Sequence, residues 1–304
     1  MTELRADARA ALAEVLAGGS RGAVLEADNL DVLAAIPGGA VDLVYADPPF
    51  GTGDVQRLTS IRTGAGEQTR RGFGGREVAW EVVGEQAWAD DLALPEHLAA
   101  LRARVEEIHR VLAPHGSLYV HVDWRTSHHV RLMMDEVFGA DRFLNELVWA
   151  YDYGGRARDR WPRKHDTILW YARGDAWTFE RDQIDRIPYM APGLVGPEKA
   201  ARGKLPTDVW WMTIVPPASS ERTGYPTQKP VRLLERIVAA SSRPGDLVLD
   251  PYAGSGTTGV AAARLGRRWL LVDRNPAAVA IARGRLAGEA GEGPGSGEGP
   301  GGGR

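Results

Sequence analysis

The chain has 304 residues, 43% of them hydrophobic and 25% charged, which is enough apolar sequence for one large core or two modest ones and too much for bulk disorder. A formal net charge of −3 excludes a uniformly basic protein, so any nucleic-acid partner has to be met by a local patch. The absence of cysteine excludes disulfides, thiolate metal sites and cysteine nucleophiles and fits a cytoplasmic enzyme, and neither a signal-peptide core at 1–12 nor a membrane span is legible.

Residues 1–17 mix Ala, Leu, Glu and Arg and predict a helix closed by Gly18-Gly19, with a short strand at 23–25. Asp28 and Asn29 follow that strand. They read as the cap of a helix at 30–35, with a ligand contact as the alternative. Residues 41–46 form an apolar strand that ends in Asp47-Pro48-Pro49-Phe50. Neither proline can donate to a ladder and each fixes its own φ, so the strand stops there and presents a carboxylate, stiff carbonyls and a flat ring at its carboxyl end. In open α/β sheets that edge is where ligands bind.

Residues 51–76 are rich in Gly and Thr, with five arginines against two acids, and read as a long polar loop: a basic flap over Asp47 or plain disorder. A helix at 94–112, a strand at 116–122, a helix at 130–138 and strands at 146–150 and 167–171 follow. Asp123 and Trp124 end the first of these strands, as terminators or as site residues. His121, His128 and His129 lack metal-ligand spacing with carboxylates and read as structural, so no metal is expected. Arg156, Arg158, Arg160, Arg163 and Lys164 are interleaved with Trp161 and follow Tyr151 and Tyr153, a mixture that suits phosphates and bases, or a merely solvated loop. Residues 177–204 are punctuated by Pro and Gly and read as an inserted lobe.

Regular order resumes at 208 with Val209-Trp210-Trp211, then Tyr225-Pro226-Thr227-Gln228-Lys229-Pro230 and a helix at 231–241. A strand at 247–249 runs into Asp250-Pro251-Tyr252-Ala253-Gly254-Ser255-Gly256-Thr257-Thr258-Gly259, followed by a helix to 265, a strand at 269–272, Asp273 and a helix to 286. Residues 288–304 are almost all Gly, Glu, Pro and Ser, a tail that cannot bury a core.

The glycine spacing at 254–259, with Asp273 about 20 residues on, matches a dinucleotide fingerprint. Asp250 argues for a different ligand, because a carboxylate there would repel a pyrophosphate and suit a cofactor that carries an ammonium group. S-adenosylmethionine has that group, and its ribose diol suits Asp273. Only 31 residues follow Asp273, 17 of them in the tail, so earlier strands must complete the sheet. Strands near 23, 41, 117, 146, 167, 247 and 269 would then share one sheet in permuted order, with the turns after Ala46 and Asp250 side by side.

With these motifs in this order, the chain resembles the DNA amino-methyltransferases of the permuted (beta) class over about residues 22–286. The likeness is carried by Asp47-Pro48-Pro49-Phe50, Pro226 to Pro230 and the block from Pro244 to Gly259, supported by Asp28-Asn29, Lys164-His165-Asp166 and Asp208-Val209-Trp210. It implies an α/β, Rossmann-like sheet of about seven strands, with a catalytic half at 1–150, a target-recognition lobe at 151–207, a cofactor half at 208–287 and the tail at 288–304. It implies S-adenosylmethionine held by Asp28, Thr227, Lys229, Asp250, Pro251, Ala253, Gly254, Ser255, Gly256, Thr257 and Asp273, and catalysis by Asp47, Pro48, Pro49 and Phe50. The partner implied is double-stranded DNA, gripped through Arg156, Arg158, Arg160, Arg163 and Lys164. The resemblance associates Asp at the first motif position with adenine N6 and Ser with cytosine N4. Cytosine-N4 transfer, an RNA or protein amino group and a nicotinamide enzyme stand as alternatives. A homodimer is admitted, and a restriction partner and the recognition sequence are left open. The chain departs from the family pattern at Phe50, where Tyr is usual, and at Tyr225, where His is usual.

Overall fold

A computed structural model describes residues 4–50, 54–71, 77–90, 93–154, 157–216 and 219–289, with backbone only at 54–71 and 77–90. In chain order, α1 (Ala6–Leu16) leads to β1 (Gly22–Glu26), α2 (Asn29–Ala35) and β2 (Val41–Ala46). β3 (Asp54–Arg71) and β4 (Glu77–Asp90) precede α3 (Leu94–Val111), β5 (Leu112–Val122), α4 (Ser127–Phe138), β6 (Phe143–Ala150) and β7 (His165–Ala172). After α5 (Pro197–Arg202) and β8 (Val209–Trp211) come α6 (Val231–Ser241), β9 (Leu247–Asp250), α7 (Thr257–Arg264), β10 (Arg268–Asp273) and α8 (Pro276–Glu289).

One sheet of eight strands runs β1-β10-β9-β2-β5-β7-β6-β8. The central strands are buried on both faces, which is why they read as continuous apolar runs instead of alternating ones. One core packs α1 to α4 on one face through Leu12, Leu33, Val105 and Met134; the other packs α6 to α8 on the opposite face through Leu234, Val260 and Ala282. β1, β10, β9, β2 and β5 are parallel, and β7 is antiparallel to both β5 and β6. From β9 the chain crosses through α7 to β10 on one side, whereas from β2 it reaches β5 on the other. Opposite departures from neighbouring strands open a crevice at their carboxyl ends, and this is what positions the site.

Three expectations are adjusted. β8, which pairs with Val148 to Ala150, is an eighth sheet strand, too short at three residues to be read from its sequence. Most of the 51–76 stretch is not a loop but one arm of an antiparallel hairpin, β3 with β4, from Asp54↔Asp90 to Arg71↔Glu77. Val55, Thr59, Ile61 and Thr63 suit a ladder, but the pairing partner lies beyond residue 76 and composition of the stretch alone does not reveal it. The last helix extends to Glu289, and the tail from 290 on lies outside the described residues. Residues 177–204 form little regular structure beyond α5 and dock along α6. The Glu180 amide donates to the Ala240 carbonyl (2.7 Å) and Arg236 donates twice to Asp185 (2.7 and 2.6 Å).

Gly256 sits at φ +77°, and an added Cβ would lie 2.7 Å from Ala282 Cβ in α8. Gly256→Ala is therefore expected to cost on the order of 2 to 4 kcal/mol in urea unfolding, from backbone strain and lost helix packing together.

Candidate active site

Leu43 pairs with Val248 and Val44 with Leu249, so the turns after Ala46 and after Asp250 are neighbours, as the motif order suggested. The two turns are joined by a third motif. Lys229 Nζ donates to Asp47 Oδ2, with both side chains largely shielded, and the Lys229 carbonyl accepts from Thr257 Oγ1 at 3.2 Å. Gln228 of the same motif holds its own loop, accepting from Thr223 N (2.9 Å) and donating to the Glu221 carbonyl (2.7 Å). Glu221 in turn accepts from Val231 N at the start of α6 (2.7 Å), so the loop and the helix position Lys229 together.

On the β9 side, Asp250 is buried and accepts from Tyr252 N (2.9 Å) and Thr258 Oγ1 (2.5 Å). Burial pushes its carboxyl up to about 7; the two hydrogen bonds oppose the rise, and the nearby charges of Asp47 and Asp273 add to it. Asp273 ends β10 and accepts from Gly254 N and Asn275 N, each at 2.8 Å. Gly254 has φ +49°, and an added Cβ would stand 3.1 Å from the Tyr225 ring, which lies over this turn.

These elements enclose a cavity of about 530 Å³ lined by all four residues of the Asp47 motif and by every expected cofactor residue except Gly256. Gly256 instead serves the turn and its contact with α8. Asp28 lines the cavity but also caps α2, accepting from Leu30 N at 2.9 Å. Asn29, read from sequence as a cap or a ligand contact, also lines the cavity: its Nδ2 donates to the Pro251 carbonyl (2.8 Å) and its Oδ1 accepts from Arg104 Nε (2.6 Å). Arg104 and His97, from α3, also line the cavity; a mid-helix arginine and histidine carry no sequence signal of it. Asp123 is buried and accepts from Arg125 N at 2.9 Å, so it terminates its strand. Among the described residues no cluster of potential metal ligands occurs, and no helix is long and apolar enough to cross a membrane.

The basic segment does not line the cavity. It lies at the same sheet edge, because it joins the carboxyl end of β6 to the start of antiparallel β7. Arg156 is outside the described residues. Arg158 is exposed, Arg160 donates to Asp159 (3.0 and 2.8 Å), and Lys164 Nζ donates to the Gly154 carbonyl (3.1 Å). The Arg163 guanidinium stacks 3.4 Å over the Trp124 ring, and Trp161 is 93% exposed.

The family model described as "DNA methylase" (N6/N4) matches residues 41–284. The chain belongs to the N6/N4 DNA methylase family. It is 30% identical over 272 residues to the DNA adenine methyltransferase YhdJ of Escherichia coli, covering 86% of this chain and 82% of that protein. Its fold is shared with the cytosine-N4-specific PvuII DNA methyltransferase (TM-score 0.63, 17% identity, 88% and 86% of the two chains) and with M1.HpyAVI solved in complex with S-adenosylmethionine (TM-score 0.55, 18% identity, 87% and 98%). Within this methylase, Phe50 keeps the ring of the motif, and Tyr225 places a ring on the glycine turn.

The folded-state value of about 7 for Asp250 exceeds the ordinary 3.8, so the native state is penalised increasingly as pH rises from about 4 through 7. Ligand-free Asp250→Asn should therefore be more stable than wild type at pH 8, by on the order of 2 to 4 kcal/mol, with the gain gone below about pH 4; thermal unfolding across that range measures it.

Proposed function

We propose that this methylase transfers a methyl group from S-adenosylmethionine to the N6 amino group of an adenine flipped out of double-stranded DNA. The observation that carries the reading is the Asp47 carboxylate, fixed by Lys229 beside the glycine turn in one crevice. The cavity suits the cofactor. Asp250 is a buried acid with which, among the described residues, no cation is paired, and an α-ammonium group would complete it. Asp273 and the Gly254 turn would meet the ribose, with Asn29, Arg104 and Tyr225 along the walls.

When bound, S-adenosylmethionine supplies an electrophilic sulfonium methyl group. The residues of the chain have a different task, since an aromatic amino group delocalises its lone pair and is a poor nucleophile. Asp47 and the Pro48 carbonyl would each accept a hydrogen bond from it, favouring a tetrahedral nitrogen with a directed lone pair, and Asp47 would take the proton released on transfer. Lys229 keeps that carboxylate in position, and proximity supplies much of the rate. Extruding the base costs roughly a few kcal/mol, offset in part by stacking on Phe50. The segment 157–164, with Trp161 exposed and Arg163 stacked on Trp124, supports phosphate and base contacts at the same edge.

Adenine is favoured by Asp47 at the first motif position and by the 30% sequence identity to a relative named as an adenine methyltransferase. Tritiated methyl transfer to unmethylated duplex DNA, followed by nucleoside analysis, should place label in N6-methyladenine, with Asp47→Ala lowering the rate by about 10²- to 10³-fold or more. Label in N4-methylcytosine would reassign the base, and unlabelled DNA would overturn the reading. In DNA-binding titrations, Arg163→Ala should weaken affinity and reduce the slope of log K against log salt by about one.

A further inference from the structure

Phe50 is stacked on another ring. Its partner is His121 on β5, with centroids 6.2 Å apart and planes inclined by 24°. His121 has no solvent exposure, a costly place for an imidazole unless both ring nitrogens are paired. Both are. Nδ1 lies 2.7 Å from Tyr45 Oη and Nε2 lies 3.2 Å from Asp166 Oδ2. The second Asp166 oxygen accepts from Tyr151 Oη at 3.1 Å. Burial presses the Asp166 carboxyl upward, but the hydrogen bond and charge of His121, with help from Lys229 and Tyr151, hold it below the ordinary carboxylate value. Asp166 is thus an acceptor, so Nε2 carries a proton and donates. Trp149 closes the remaining side, edge-on at 5.6 Å and 85°.

Four adjacent strands contribute to this arrangement: β2 (Tyr45), β5 (His121), β7 (Asp166) and β6 (Trp149). An apolar side chain would fill the same space but could turn within it. Two directional hydrogen bonds at opposite ends of a ring fix its plane, and a ring stacked on that plane inherits the orientation. Phe50 belongs to no strand or helix, so its ring takes its orientation from the groups it packs against.

We infer that His121 is a positioning residue for methyl transfer, which fixes the Phe50 ring at the angle at which the opposite face receives the flipped base and acts only through that ring. The inference rests on the proposed DNA methylation. Tyr45 and Asp166 hold His121 and share its role indirectly. A residue that merely filled the core would affect folding and cofactor binding, and would do so whether or not Phe50 were present.

A double-mutant cycle separates the two roles. Single-turnover methyl transfer to unmethylated duplex DNA is measured for His121→Leu, for the milder Tyr45→Phe, and for each combined with Phe50→Ala, with cofactor affinity followed by calorimetry. His121→Leu should slow transfer about tenfold and Tyr45→Phe about threefold when Phe50 is present, both losses falling below about twofold in the Phe50→Ala background, with cofactor affinity kept within about twofold. Equal losses in the two backgrounds, or a matching loss of cofactor affinity, would overturn the inference while leaving the methylation reading intact. If His121→Leu fails to fold, Tyr45→Phe decides by the same criterion. Wild type that labels no DNA removes both.

Discussion

The contact between Lys229 and Asp47 joins residues 182 positions apart, and the arrangement of the site depends on it. Each group is mostly shielded from solvent and would carry a substantial desolvation cost alone. Paired, they place the Asp47 carboxylate against the loop that begins α6, while the Lys229 carbonyl ties the same loop to Thr257 of α7. One residue therefore couples the Asp47 motif to the glycine turn, a more central position than the cofactor wall its sequence context suggests.

Charge is distributed unevenly across the crevice. Asp47 has its cation within the protein, whereas Asp250 has hydrogen-bond donors but no paired cation among the described residues. Burial holds the Asp250 carboxyl near neutrality, and a cationic ligand would favour its ionised form. Under the proposed function this asymmetry would divide the labour, the β9 side receiving a positively charged cofactor and the β2 side accepting hydrogen bonds from the nucleophile.

The parts of this design that were legible in sequence are those in which one local run carries the whole signal. The apolar strand at 41–46 halted by two prolines, the strand before Asp250 and the glycine turn are of that kind. Pairing partners far along the chain were not legible. The β3–β4 hairpin depends on residues beyond 76, β8 is a three-residue strand defined only by its pairing to β6, and Arg104 enters the site because α3 packs beside α2. His121 read as structural for want of metal partners. Its relation to Phe50 exists only once four strands are laid side by side.

The division of labour is most directly tested by calorimetric titration of S-adenosylmethionine into Asp47→Asn, whose amide oxygen still accepts from Lys229. Affinity within about threefold of wild type is predicted, because the removed carboxylate serves the nucleophile and not the cofactor. A loss of cofactor affinity of about tenfold or more would contradict it.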